Sequence, residues 1–243
     1  AQDIEERKNE WGEESALYVA GILGRFPDSL SDAVVPRSVL LAAVGRELEP
    51  WDTTDNPAPR AILSCDVARF GGDRTVVYRR QGGRCRLAAS WMGKSTQETA
   101  GLLGRLAEAD EDVDRIVVDD VGVGGGVTDR LRESPPKNKR GGISIVAFNG
   151  GAAARQPRKY ANAISEAWLE LAEEFIRGKI SIENDPALIS QLSSRRRIIQ
   201  GDRTLRLETK NSYKSRTGIS PDNADALAMT MIATRGGPRI SWA

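Results

Sequence analysis

The sequence predicts an α/β fold with a mixed central sheet flanked by helices, and three observations carry that prediction. Short apolar runs rich in β-branched residues recur between glycine-containing turns, helical periodicities alternate with those runs after Ser95, and several runs end on an aspartate. Strands joined by tight turns are antiparallel, whereas strands joined through helices are parallel and covered on both faces, so they read as unbroken apolar stretches. Both kinds are present here.

Residues 1–55 stand apart from the rest. They hold an acidic start (DIEERKNEWGEE), a helix-compatible stretch around Ala16 to Leu23, the segment VVPRSVLLAAVGRE and the opening of a proline-rich connector, WDTTDNPAP. We read 1–55 as a linker or N-terminal extension and 56–243 as the main domain. AILSCDVA (61–68) is a buried strand; the turn RFGGD leads to a second, RTVVYRR (74–80), and QGGR makes a hairpin into a third, CRLAASWM (85–92). A helix follows from about Thr96 to Ala109 with Leu102, Leu103 and Leu106 as its apolar stripe. DRIVVDD (114–120) is the fourth strand, VTDRLRES (127–134) a short helix after a glycine turn, SPPKNKRGG (134–142) a loop and ISIVAFNG (143–150) the fifth strand. KYANAISEAWLELAEEFIRG (159–178) is a long amphipathic helix stopped by Gly178. RRRIIQ and TLRLET are two short strands around Gly201 and Asp202, and a final helix opens with Ser220 as N-cap and Pro221 as first residue. Three antiparallel strands, a helix, then strand, helix, strand, helix is the order of the RNase H-like fold.

Composition narrows the chemistry. With 40% apolar and 28% charged residues the chain is of ordinary globular make-up, and no stretch approaches the ~18 uninterrupted apolar residues of a membrane span. Two cysteines and no histidine exclude ordinary zinc sites, and the lack of histidine leaves carboxylates and lysines for acid/base work. Cys65 and Cys85 both fall in strand-like runs and read as buried free thiols.

Against that background the acids are informative. In SPDNADALAM (220–229), Asp225 has Ala228, Met229 and Ile232 as its i+3, i+4 and i+7 neighbours, so it lies on the apolar side of its helix. A carboxylate there costs several kcal/mol unless a cation meets it. Asp222, in the first turn, has a simpler explanation in the helix macrodipole. Asp66 closes the run AILSCD and Asp119 closes RIVVD, with Asp120 turned to the opposite face. Carboxylates gathered from two strand ends and a late helix suit a two-metal phosphodiesterase.

The net charge of +1 conceals segregation: residues 137–159 carry six cations and no acid (+6), and residues 195–216 carry eight cations against two acids (8 − 2 = +6). Two such blocks flanking an acidic cluster suggest a track for a polyanion. Two glycine motifs are decoys. GxGxxG from Gly122 would need glycine where Val127 stands, and Gly93-Lys94-Ser95 lacks the first glycine of a phosphate loop because Ala88 occupies that place within a strand.

Taken together and in order, DVARFGGD, VVDDVGVGGGVTDRL, RKYANAISEAW and LETKNSYKSRTGISPDNADALAM resemble the nuclease domain of the large terminase subunit of tailed bacteriophages, over about Arg60 to Thr234. ILGRFPDSLSDAVVP is similar to the stretch joining that family's ATPase to its nuclease, so 1–55 would be the end of an absent ATPase half. The resemblance implies an endonuclease that cuts concatemeric double-stranded viral DNA in the host cell cytoplasm, with the small terminase subunit and portal as partners of the full-length protein and no membrane. It implies two Mg2+ or Mn2+ ions on residues matching Asp66, Asp119 and the Asp222/Asp225 pair. Lys210, Lys214 and Arg216, just before the last motif, would hold the scissile phosphate or the adjacent backbone. Other RNase H-like nucleases, such as junction resolvases, remain open. So does an actin-like sugar kinase, which shares the style of DVARFGGD, and so does a non-catalytic DNA-binding module.

Overall fold

The computed structural model describes residues 32–50, 58–68, 74–201 and 204–232. The expectations for the acidic start, the Ala16 to Leu23 stretch, most of the proline-rich connector and the RFGGD turn lie outside the described residues. Helix α1 (Arg37–Ala43) precedes a meander of three antiparallel strands, β1 (Ala61–Asp66), β2 (Thr75–Gln81) and β3 (Arg84–Trp91). Helix α2 (Thr96–Ala109) crosses back to β4 (Val113–Asp119), which pairs in parallel with β1. Helix α3 (Gly124–Glu133) then leads through the two-residue strands β5 (Lys137–Asn138) and β6 (Gly141–Gly142) to β7 (Ser144–Phe148), parallel to β4. After helix α4 (Ala163–Ile176), β8 (Ser181–Ile182) joins the free edge of β3, giving a six-stranded sheet in the order β7-β4-β1-β2-β3-β8. Helix α5 (Pro186–Ser194), the hairpin β9 (Arg197–Ile199) and β10 (Leu205–Leu207), helix α6 (Lys210–Thr217) and helix α7 (Asp222–Met229) complete the described chain.

The sheet is covered on both faces. Leu63, Cys65, Val77 and Val118 pack with Ala100 and Leu103 of α2 and Val127 and Leu131 of α3. The opposite face carries Val76 and Tyr78 against Trp168 and Phe175 of α4 and Leu227 of α7, and Val34, Val35, Leu40 and Ala43 join this second cluster. Each such fully buried large side chain contributes about 1.5–3 kcal/mol. Alternation along β1 divides its residues between the two layers: Leu63 and Cys65 face α2, while Ile62 packs beside Met229 and the Ser64 hydroxyl donates to the Ala226 carbonyl in α7.

Several boundaries differ from the sequence reading. The buried face of α2 is Thr99, Ala100, Leu103 and Ala107, leaving Leu102 and Leu106 half-buried at its flanks. Helix α3 starts inside the glycine run, at Gly124, because its first turn must lie against the end of β4. The loop 134–142 holds the β5–β6 ladder. Helix α4 starts only at Ala163, where Asn162 caps the Ser165 N–H; Tyr160 before it is bridged to Leu205. Pro221 takes the N-cap position of α7, and the Ser220 hydroxyl is drawn to the Asp222 carboxylate instead of a backbone N–H. The sequence reading missed α1, α5, α6 and β8. Asp185 followed by Pro186 marks the start of α5, and Thr209 with Gly218 at φ +76° brackets α6, but α6 buries only Tyr213 and so has almost no apolar periodicity.

Candidate active site

Asp66 is the last residue of β1 and Asp119 the last of β4. In the parallel pairing Cys65 lies opposite Val118, so the next residue along each strand brings the two aspartates to the sheet end side by side. Both belong to the face covered by α7: Val117, two residues before Asp119, packs on Ile62 and Met229. The Val121 N–H donates to Asp119 Oδ1 at 3.2 Å. Asp120 continues the ladder through its N–H to the Phe148 carbonyl (2.8 Å), and its side chain turns toward Gly125 in α3, away from the other acids.

Helix α7 brings its N-terminus to the same place because three neighbours fix it. Gln191 of α5 accepts the Ala224 N–H at 3.0 Å, and Asp185 accepts from both Asn223 Nδ2 (3.1 Å) and the Tyr78 hydroxyl (3.2 Å). Asp222 and Asp225 therefore face Asp66. At the point where they converge sits the ammonium of Lys210, the first residue of α6. Its Nζ is 3.0 Å from Asp66 Oδ2, 3.1 Å from Asp222 Oδ1 and 3.4 Å from Asp225 Oδ2. The second oxygen of Asp225 accepts the indole N–H of Trp168 at 2.8 Å, fully inside the protein. This is the cation that a carboxylate on the apolar side of a helix requires.

One lysine does not neutralise four aspartates. Burial pushes the Asp66 carboxyl up to about 8, helped by Asp225 and Asp222 and opposed by Lys210. Burial also raises Asp119, against the pull of the Val121 N–H and Lys210. Burial works against the charge on Lys210, but Asp66, Asp225 and Asp222 outweigh it and hold the ammonium above its ordinary value. Among the described residues no group of three or more acidic, His or Cys side chains is closed tightly enough to hold an ion as it stands. The oxygens stand about Lys210 at 3.0–3.4 Å, whereas Mg2+ asks for about 2.0–2.1 Å. The donors have the hard oxygen chemistry that such an ion prefers, and seating one means moving Lys210 aside and closing the carboxylates by about an ångström.

Beside the acids opens a cleft of about 280 Å3, lined by Asp119, Lys210 and Asp225 together with Phe148, Arg195 and Arg206. The other proposed DNA contacts sit differently from Lys210. Arg216 is taken up by Glu208 (2.7 Å) and the Ser194 carbonyl (2.7 Å), which ties α6 to the end of α5 and to the residue that follows β10. Lys214 lies on the same helix, one turn further along than Lys210. The two basic blocks are also less free than their charge suggests: Arg140 pairs with Asp112, Arg155 with Glu166 and Glu170, Lys159 with Glu173, and Arg196 with Asp32. Arg195 is 2% exposed, with its guanidinium 5.2 Å from the ring centres of both Trp168 and Tyr213. By contrast Arg206 is exposed and makes no ion pair among the described residues.

Sequence reasoning named the four aspartates and Lys210 but passed over Trp168 and Arg206. Trp168 sits in an apolar helix pattern where an indole reads simply as core, and nothing in the sequence says which way its N–H points. Arg206 is one cation among eight in its block, and only the hairpin geometry sets it on the cleft.

No family model matches the chain, and no curated protein does. Solved structures do. A mutant nuclease domain of the large terminase subunit gp2 of bacterial virus Sf6, with manganese and β-thujaplicinol, superposes with a TM-score of 0.68 at 21% identity, covering 82% of this chain and 98% of that one. The large terminase nuclease of thermophilic phage G20c with bound magnesium gives 0.55 at 16% identity, over 84% and 98% of the two chains. The nuclease domain of the Thermus phage P74-26 large terminase gives 0.50 at 15%, over 82% and 93%. The mixed sheet and its helical layers are thus the RNase H-like α/β fold of the phage large terminase nuclease domains.

Proposed function

We propose that this chain is a divalent-metal-dependent endonuclease that cleaves double-stranded DNA, acting in the packaging of concatemeric viral genomes. One observation carries the reading: Asp66 from a strand end and Asp222 and Asp225 from one helix converge on the ammonium of Lys210, with Asp119 beside them at the end of the adjacent parallel strand. The carboxyl ends of parallel strands are where open α/β sheets bind ligands. Asp66, Asp119 and the Asp222/Asp225 pair would hold Mg2+ or Mn2+, and the manganese and magnesium in the Sf6 and G20c structures support that choice. Held by these residues, two such ions would supply Lewis acidity to the phosphodiester and would offset the charge of an in-line displacement.

The chain's own groups do the rest. Asp66 and Asp119 are fixed by sheet pairing, so their spacing does not depend on loop conformation. Asp225 is fixed from behind by a buried hydrogen bond. Lys210, released from the carboxylates, would turn its ammonium to a phosphate oxygen, and Arg206 at the cleft would take a phosphate further along the strand. No base-reading module is evident, so cleavage should show little sequence preference. In this reading residues 1–55 are the end of an ATPase half, and the small terminase subunit and portal are partners in the host cell cytoplasm. Among the described residues no helix is long and apolar enough to cross a membrane.

The test is incubation of the protein with a supercoiled plasmid in Mg2+, in Mn2+ and in EDTA. Nicking and linearisation should require the metal and vanish in Asp66→Asn and Asp119→Asn. Equal cutting in EDTA would overturn the proposal. Four-way junctions and RNA:DNA hybrids as parallel substrates separate it from other RNase H-like activities.

A further inference from the structure

Trp168 is a neutral donor that meets the carboxylate cluster from the buried core. It is fully buried in α4, yet its Nε1–H is not spent on a backbone carbonyl; it donates at 2.8 Å to Oδ1 of Asp225, itself only 8% exposed. The opposite oxygen, Oδ2, is the one that faces Lys210 at 3.4 Å. A carboxylate has two equivalent oxygens and free rotation about its last bond. A single directional donor behind it removes that freedom and decides which oxygen is presented. The indole is itself immobilised, with the Arg195 guanidinium 5.2 Å from its ring and Leu171, Phe175 and Leu227 in the surrounding core.

We propose that Trp168 is a positioning residue for the metal centre: its indole N–H holds Asp225 so that Oδ2 alone is offered to the cation. This rests on the reading of the acidic cluster as a divalent-metal site. Partners of this kind, one bond removed from the metal, typically change affinity by about 10–100-fold when deleted. Trp168→Phe keeps an aromatic ring in the core and deletes the donor. It should weaken Mg2+ binding roughly tenfold or more, while KM for DNA stays near wild type because no DNA-facing group changes.

The decisive measurement does not use cleavage. The chain has five tryptophans, hence five indole N–H resonances in the 15N-labelled protein. One of them, absent in Trp168→Phe, should move on titration with Mg2+ and should also be displaced in Asp225→Asn. Calorimetry on Trp168→Phe should show the weakened affinity. An indole spectrum unmoved by saturating Mg2+, or wild-type Mg2+ affinity in Trp168→Phe, overturns the proposal. Should Trp168→Phe fail to fold, the wild-type titration and Asp225→Asn decide it alone: a resonance moved by both supports it, and none moved by both refutes it. Failure of the nuclease reading looks different. A protein whose Trp168 resonance responds to Mg2+ but which cuts no DNA keeps the positioning role and loses the proposed activity, whereas metal-dependent cutting with silent indoles does the reverse.

Discussion

A β-carbon at Gly124 would lie 1.6 Å from the main-chain carbonyl oxygen of Asp119. The first turn of α3 and the end of β4 therefore touch backbone to backbone, and residue 124 can only be glycine. The glycine run that imitates a dinucleotide motif is used here to seat a helix against the strand that carries a candidate ligand.

Gly124→Ala should push α3 away from β4, at a cost of about 1–3 kcal/mol from overpacking against an unyielding backbone. Because the displaced atom is Asp119's own carbonyl, cleavage should fall by more than the loss of folded protein explains. Urea denaturation beside a cleavage assay measures both; wild-type values in each would contradict the packing described.

Lys210→Ala removes the only side-chain cation in contact with Asp66, Asp222 and Asp225 among the described residues. Without metal the variant should be less stable than wild type, since buried like charges lose their partner. With Mg2+ it should gain more stability than wild type does, because the ion no longer competes with an ammonium. Thermal melts in EDTA and in Mg2+ read the difference, and an equal metal-induced shift in the two proteins would refute the competition.

Stability in EDTA should depend on pH through Asp66. Burial raises its carboxyl from the ordinary 3.8 to about 8, so between those values the folded state keeps a proton that the unfolded chain has released. The contribution is fully present below the unfolded value and is lost as pH rises through about 8, so the protein should be more stable at about pH 5 than at about pH 8. Asp66→Asn should flatten that slope and raise the urea midpoint at the higher pH. A wild-type slope in the variant would assign the effect to another group.

Arg206 and Arg216 should separate cleanly. Arg216→Ala breaks contacts to Glu208 and Ser194 and should chiefly lower stability. Arg206→Ala should leave the melting temperature alone and reduce the salt dependence of DNA binding by roughly 0.9 in slope, the effect of one lost phosphate contact. Binding isotherms at several salt concentrations test this, and an unchanged slope would move the DNA path off the β9–β10 hairpin.

What could be read ahead of the structure followed from periodicity and from acids out of place. Asp66 and Asp119 were legible because each directly ends an apolar strand, and Asp225 because its helical neighbours are Ala228 and Met229. Helix α6 was not legible: with Tyr213 as its only buried residue it has no stripe, although Thr209 and Gly218 bracket it correctly. The charge blocks misled for a related reason. A cation's sequence neighbours do not reveal whether an acid such as Glu208 or Glu170 waits across the fold. The role of Trp168 was hidden in the same way, since a core aromatic and a hydrogen-bond donor are spelled with the same letter.

The ammonium of Lys210 has a consequence for how the molecule comes into being. In small metal-dependent domains the ion is the last piece of the fold, and removing it unfolds the chain. Here the chain carries an internal counter-ion on its own tether, delivered when α6 docks. If the acids take up metal as proposed, they would assemble without it, the ammonium of Lys210 balancing part of their charge.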